Sequence, residues 1–101
     1  MYIYNVTTKV DPSIHEIWVD WMKTTHIPAI MSTGCFSEFQ FARLLELDDS
    51  DGPTYTTQYK ADSKADYNRY LEIHANKLRN DVLATWGNKV IGFRSLMQVV
   101  H

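Results

Sequence analysis

The sequence has little of several things that would narrow its function at once. A single cysteine, Cys35, excludes an internal disulfide framework and a cysteine-based zinc site. No apolar run nears the ~20 residues of a bilayer span, so no membrane association is expected. The first residues read as a strand and lack the charged and apolar regions of a signal peptide, which makes a cytoplasmic location the expectation. Charge of one sign is also missing: ten Lys and Arg face twelve Asp and Glu, a net charge of −2. That balance gives no field to gather nucleic acid or anionic lipid. There is no Gly-x-Ser-x-Gly, P-loop or dinucleotide pattern. His15-Glu16 begins like a zinc-protease helix, but the position for its second histidine is Val19. The acidic run around Asp49 and Asp51 would need an acid at Leu47 and a glutamate at Gln58 to make a calcium loop. No metal site is expected.

What is present is strongly ordered. Asp11-Pro12 reads as a helix start, with Asp as the cap and Pro in the first helical position. Ile14, Ile17, Trp18, Trp21, Met22 and Thr25 then recur at three- and four-residue spacing, one stripe of an amphipathic helix. Pro28 lacks a backbone donor and predicts a bend or break near Thr24 to Ile27, with a last turn ending at Gly34. Ser63 followed by Asp66 is a capping-box pattern that opens a second helix. Its stripe is Tyr67, Leu71, His74, Ala75, Leu78 and Val82, and Gly87-Asn88 ends it. Arg69, Lys77 and Arg79 fall away from that stripe, as a solvated face should. Four segments read as strands: Tyr2 to Lys9, Phe36 to Leu47, Thr54 to Ala61 and Val90 to Val100. A polar hairpin loop from Asp48 to Pro53 joins the middle two.

The order strand, helix, strand, strand, helix, strand is the split βαβ, or ferredoxin-like, arrangement within one α+β domain. Right-handed crossovers put both helices on one face of a four-stranded antiparallel sheet. Alternation assigns the faces. Tyr2, Tyr4, Val6, Phe39, Phe41, Tyr55, Tyr59, Ile91, Phe93, Met97 and Val99 form the apolar sets expected to meet the helices. The open face would then carry Ile3, Leu44 and Leu96 among Asn5, Glu38, Gln40, Gln58 and Arg94. A mixed face of that kind is rarely bare in a small protein. Contact with a second copy across a two-fold axis is the expected use, leaving a partly polar cavity between the two sheets.

On these residues the chain resembles the dimeric α+β barrel superfamily. Trp18-x-x-Trp21, His26-Ile27-Pro28 and Gly34-x-Phe36 are similar to the aromatic, His-x-Pro and Gly pattern of EthD-like proteins. The Tyr-rich first strand, His26-Ile27-Pro28 and Phe93-Arg94-x-x-Met97 resemble, more closely, an uncharacterised bacterial domain-of-unknown-function family of this type. The resemblance implies a homodimer of facing sheets. Superfamily members include cofactor-free monooxygenases, isomerases, haem-handling enzymes and plain binders, so the reaction is not fixed by it.

Two constellations could carry chemistry. His26, on the flank of the first stripe beside Pro28, could serve as an acid/base group because its ordinary pKa lies near working pH. Its structural alternative is a buried ring that caps a carbonyl freed by the proline. Arg94, with Asn5, Gln40, Gln58 and Glu38, could line a ligand site, Arg94 gripping a carboxylate or enolate-like oxygen with its fork. The alternative is an Arg94–Glu38 ion pair or a contact between subunits. Trp18, Trp21 and His74 read as core. Two functions follow. One is a homodimer that binds a small organic molecule in a pocket between sheet and helices, with His26 as acid/base in a cofactor-independent oxygenase or isomerase. The other is a non-catalytic module whose open face only dimerises. The sequence names no cofactor.

Overall fold

A computed structural model describes all 101 residues. Strand β1 (Tyr2–Val10) is joined to β3 (Thr54–Ala61) on one side and β4 (Val90–Gln98) on the other, with β2 (Glu38–Arg43) outside β3. All pairings are antiparallel, giving the spatial order β2-β3-β1-β4. The sheet is the expected ferredoxin-like one. β2 is shorter than the alternation suggested: after Arg43 only Leu44 still bonds across, to the Thr54 carbonyl at 2.9 Å.

Two long helices cover one face. Asp11 caps a short 3-10 turn, accepting from the Ser13 N–H at 2.8 Å. Helix α1 (residues 15–31) then runs as His15–Trp21, a π-helical stretch Met22–His26 and Ile27–Met31. Pro28 therefore does not break the helix. The wide turn sits just before it, and the Ile27 N–H reaches back five residues to the Met22 carbonyl. Helix α2 (residues 64–86) repeats the device: Lys64–Arg69, π-helical Tyr70–His74 and Ala75–Trp86, with the Ala75 N–H bonded to the Tyr70 carbonyl. Ser63 caps it by accepting from the Asp66 N–H at 3.1 Å.

These wide turns change which residues are inside. Buried side chains come as Trp18, Met22, Ile27 and Ile30 in α1, and as Tyr70, Ala75 and Leu78 in α2. The steps Met22 to Ile27 and Tyr70 to Ala75 are five residues, the period of a π turn. An α-helical stripe does not contain that step: Thr25, expected on the stripe, is exposed, and Tyr70, not among the stripe residues, is buried. The core joins these residues to Tyr4, Val10, Phe36, Tyr59 and Ala61.

The register corrects one face assignment. Residues directly opposite in an antiparallel pair share a face. Leu96 stands opposite Tyr4, Arg94 opposite Val6, and Gly92 opposite Thr8, so Arg94 and Leu96 point to the helix side. Met97, Ser95, Phe93 and Ile91 stand opposite Ile3, Asn5, Thr7 and Lys9 on the open side. The apolar set of β4 therefore faces away from the helices, with Ile91 72 % and Phe93 64 % exposed. Choosing the greasier set as the inner one fails here because the more apolar face of β4 is the one turned away from the helices.

Candidate functional site

A cavity of about 220 Å³ lies between the helix-side face of the sheet and the two helices. Its floor is buried: Tyr4 and Thr57 from the sheet, Trp18, Met22 and His26 from α1, and Tyr70 from α2. Its rim is exposed and is made by Leu83, Gly87, Gly92 and Arg94. Both π turns serve it, because Met22 and His26 come from one and Tyr70 from the other. Wide turns of this kind cost helix stability and cluster at functional sites.

His26 is the sequence candidate that the fold delivers to the cavity wall. It is 9 % exposed, and its ring stacks on Trp21 with centroids 4.8 Å apart and planes 14° from parallel. Burial pushes its pKa down to about 4, partly opposed by the negative charge of Asp81. The imidazole is thus neutral at physiological pH, and burial makes it a weaker base than a ring in water. Trp21 in turn meets Trp86 edge-on at 5.6 Å.

Tyr4 is the hub of an aromatic cluster that holds Phe36, Tyr59, Tyr67 and Tyr70 within 6.1 Å, ring centre to ring centre. Burial raises the phenol pKa values of Tyr59, Tyr67 and Tyr70, so these hydroxyls stay protonated and can donate. The Tyr4 hydroxyl accepts a bond from Arg79 Nη2 at 3.3 Å. Arg79 is thus not on the solvated face where the stripe put it. It lies four residues past Ala75, half-buried at the cavity edge. The positive charges of Arg79 and Arg94 both act on Tyr67 and Tyr70. Sequence reasoning missed Arg79 and Tyr70, although Tyr70 lies three residues past Tyr67 and Arg79 four past Ala75, spacings that put each beside the stripe.

The other candidates stay on the far side of the sheet, away from the cavity. Gln40, Gln58 and Asn5 form one row across β2, β3 and β1. Glu38 is exposed and pairs with Lys60 at 3.0 Å, so the alternative of an Arg94–Glu38 ion pair is not realised. Glu38, Gln40, Gln58 and Lys60 border, with Ile3, a shallow groove on the open face. Asn5 Nδ2 donates to Thr7 Oγ1 at 3.0 Å and to Ser95 Oγ at 3.4 Å, while its Oδ1 is buried without a partner. Arg94 is thus separated from Gln40 and Gln58 by the thickness of the sheet. No cluster of three or more His, Cys, Asp or Glu is placed to hold a metal ion.

Fold and site together define a ferredoxin-like α+β protein with a small cavity between its sheet and its helices. The chain belongs to the DUF4286 family, described as a domain of unknown function, whose model matches residues 1–100. No curated relative matches the sequence. Among solved structures it is similar to an ethyl tert-butyl ether D (EthD) family protein from Bacillus halodurans C-125. That pair shares 11 % identity over 98 % of this chain and 100 % of the other, at a TM-score of 0.68. A dimeric ferredoxin-like protein from an uncultured marine organism has 14 % identity, coverage of 99 % and 95 %, and a TM-score of 0.63. A proposed antibiotic biosynthesis monooxygenase from Nitrosomonas europaea has 16 % identity, full coverage of both chains and a TM-score of 0.68. These likenesses establish the fold. No helix is long and apolar enough to cross a membrane.

Proposed function

We propose that this protein is a small homodimer that binds a single-ring organic molecule in the sheet–helix cavity, with His26 as the acid/base group of a cofactor-independent oxygenase or isomerase. The observation that carries the reading is the buried, neutral imidazole in the wall of a cavity to which both π turns contribute. A cavity of 220 Å³ is smaller than the ~300–1,000 Å³ of drug-sized sites. It exceeds the ~150 Å³ that accommodates benzene in an engineered core. One ring and a polar group fit that range. The naming of one structural neighbour as a proposed monooxygenase supports oxidation as the reaction class. Arg94 is the orienting residue in this reading.

Titration of the isotope-labelled protein with phenol, indole and benzoate tests the pocket. Amide shifts are expected at Thr57, Tyr59 and Gly92, where the cavity is lined. Shifts confined to the outer helix surface, or none at millimolar ligand, would overturn the reading.

The second copy is proposed to cover the open face. Ile91, Phe93 and Met97 are exposed there in one row of β4, and a neighbour of the same fold is described as dimeric. Asn5, Gln40, Gln58 and Glu38 then become subunit contacts. The unpartnered Asn5 Oδ1 would take a donor from across the two-fold axis. Light scattering at low micromolar concentration is expected to give twice the 11.8 kDa chain mass, and Phe93→Glu to halve it. A wild-type monomer would remove this part of the proposal.

A further inference from the structure

The cavity contains an imbalance of charge that its size and aromatic lining do not explain. Eighteen residues line it and none is Asp or Glu, although the chain has twelve of them. Two of its four arginines are among the eighteen. The other two are ion-paired elsewhere, Arg43 with Asp49 at 2.8 Å and Arg69 with Asp66 at 3.0 Å. Arg79 and Arg94 make no ion pair. Arg79 has one neutral partner, the Tyr4 hydroxyl, and its Nε is buried with no acceptor at all. A buried N–H of a charged group left unpaired costs stability, and proteins rarely keep one without a use. The two guanidiniums come from different elements, α2 and β4, and both line the cavity together with Tyr4 and Tyr70. Two cations without ion pairs in the lining of an acid-free cavity call for an anion.

The rest of the lining says what kind of anion. Eleven of the eighteen lining residues are hydrophobic. The far wall is Trp18, Met22 and Ile30, with no charged group among them. Guanidinium forks match the planar, two-oxygen edge of a carboxylate. Arg94 sits on the exposed rim and Arg79 is half-buried behind it, so the charged end of the ligand lies at the mouth and the apolar body inside.

We propose that the cavity is a site for a small organic carboxylate, its carboxylate held between Arg79 and Arg94 and its ring or short apolar body packed towards Trp18, Met22 and Ile30. This rests on the pocket reading above and deepens it by naming the substrate class. It also assigns a role to Arg79.

The test compares benzoate with benzamide, a neutral ligand of the same shape, and with phenyl phosphate, by amide shifts of Thr57, Tyr59 and Gly92 in the full-length protein. Benzoate is expected to bind at least tenfold more tightly than benzamide. Arg94→Gln should weaken benzoate at least tenfold and leave benzamide unchanged. Arg79→Gln should do the same, with Arg79→Lys restoring part of the affinity. Should Arg79→Gln unfold the protein, Arg94→Gln carries the test, because Arg94 is exposed. Equal binding of benzoate and benzamide would overturn the carboxylate site while leaving the pocket intact. Benzoate binding unaffected by Arg94→Gln would do so too. Tighter binding of phenyl phosphate would replace carboxylate by phosphate and overturn the class named. If none of the three moves the cavity residues, the pocket and the carboxylate site fall together.

Discussion

Lowering the pH from 7.5 to 5 is expected to cost the folded protein about 2 kcal/mol of stability through His26 alone. The sign follows from proton counting. In the unfolded chain the burial is absent and the ring titrates near its ordinary 6.5, whereas in the folded protein burial holds it at about 4. Between those values the unfolded state binds the extra proton, so stability falls as pH falls. The contribution is intact above the unfolded value and is lost progressively as pH drops towards the folded one. The size follows from the 2.5-unit gap between 6.5 and about 4, at ~1.4 kcal/mol per unit, most of which is spent by pH 5. Urea midpoints at pH 7.5 and pH 5 measure it. His26→Gln, which cannot titrate, should flatten the slope in this window. A variant that keeps the wild-type slope would place the acid sensitivity elsewhere and return His26 to an ordinary partly hydrated ring.

Gly52→Ala is expected to be the most damaging single methyl group that can be added to this fold. Gly52 closes the hairpin between β2 and β3 with φ of +117°, a conformation L-residues rarely adopt. It is also buried against the end of β1. A Cβ there would lie 1.8 Å from the Val10 carbonyl oxygen and 3.2 Å from Pro12 Cδ. Neither neighbour can yield cheaply. The Val10 N–H is bonded to the Pro53 carbonyl at 2.9 Å, and Pro12 opens the turn into α1. Backbone strain of ~1–2 kcal/mol and displacement of the β1 end should together exceed about 3 kcal/mol. At an m-value of ~1.5 kcal/mol/M, the urea midpoint should fall by about 2 M. Gly34→Ala supplies the control. Its φ is +75° but nothing lies within 4 Å of the added carbon, so only the conformational cost of about 1 kcal/mol applies. Equal losses at both positions would mean that the hairpin tip moves freely and the close approach to β1 is unimportant.

Much of the architecture is legible in the sequence because it is written in local chemistry. Asp11, Ser63 and Gly87 cap helical segments where expected, while the first long helix ends at Met31 with Ser32 as its cap, two residues before Gly34. Strand order follows from connection rules that need no side-chain detail. The site was read less well, for separable reasons. A π turn inserts one residue and rotates everything after it by ~100°, so a stripe drawn at α-helical spacing drifts off the true face. That put Thr25 on the wrong face of α1, whereas Arg79, at α-helical spacing from Ala75, was misjudged because a charged residue was assigned to solvent. The face of β4 was inverted because both of its faces are partly apolar, and alternation alone does not say which one meets the helices. Placing Arg94 with Gln40 and Gln58 followed from that inversion. His26 was found because it sits beside Pro28, a residue whose backbone consequences are visible in the sequence.

The two-sidedness of β4 makes its phase the most consequential setting in the molecule. Along its nine residues, adjacent side chains answer to different demands: Phe93 looks outward from the sheet and Arg94 looks inward over the cavity. Advancing the strand by one residue would exchange the two, sending an aromatic ring inward and a guanidinium outward. The phase is set where the chain leaves α2, in the short turn Gly87–Lys89. There the Lys89 carbonyl accepts from the Asp11 N–H at 2.8 Å, and the Lys89 ammonium stands 3.9 Å from the Asp11 carboxylate. Asp11 also caps the turn that leads into α1. One aspartate thus indexes the strand that holds Arg94 against the helix that holds His26, from outside the cavity that both of them line.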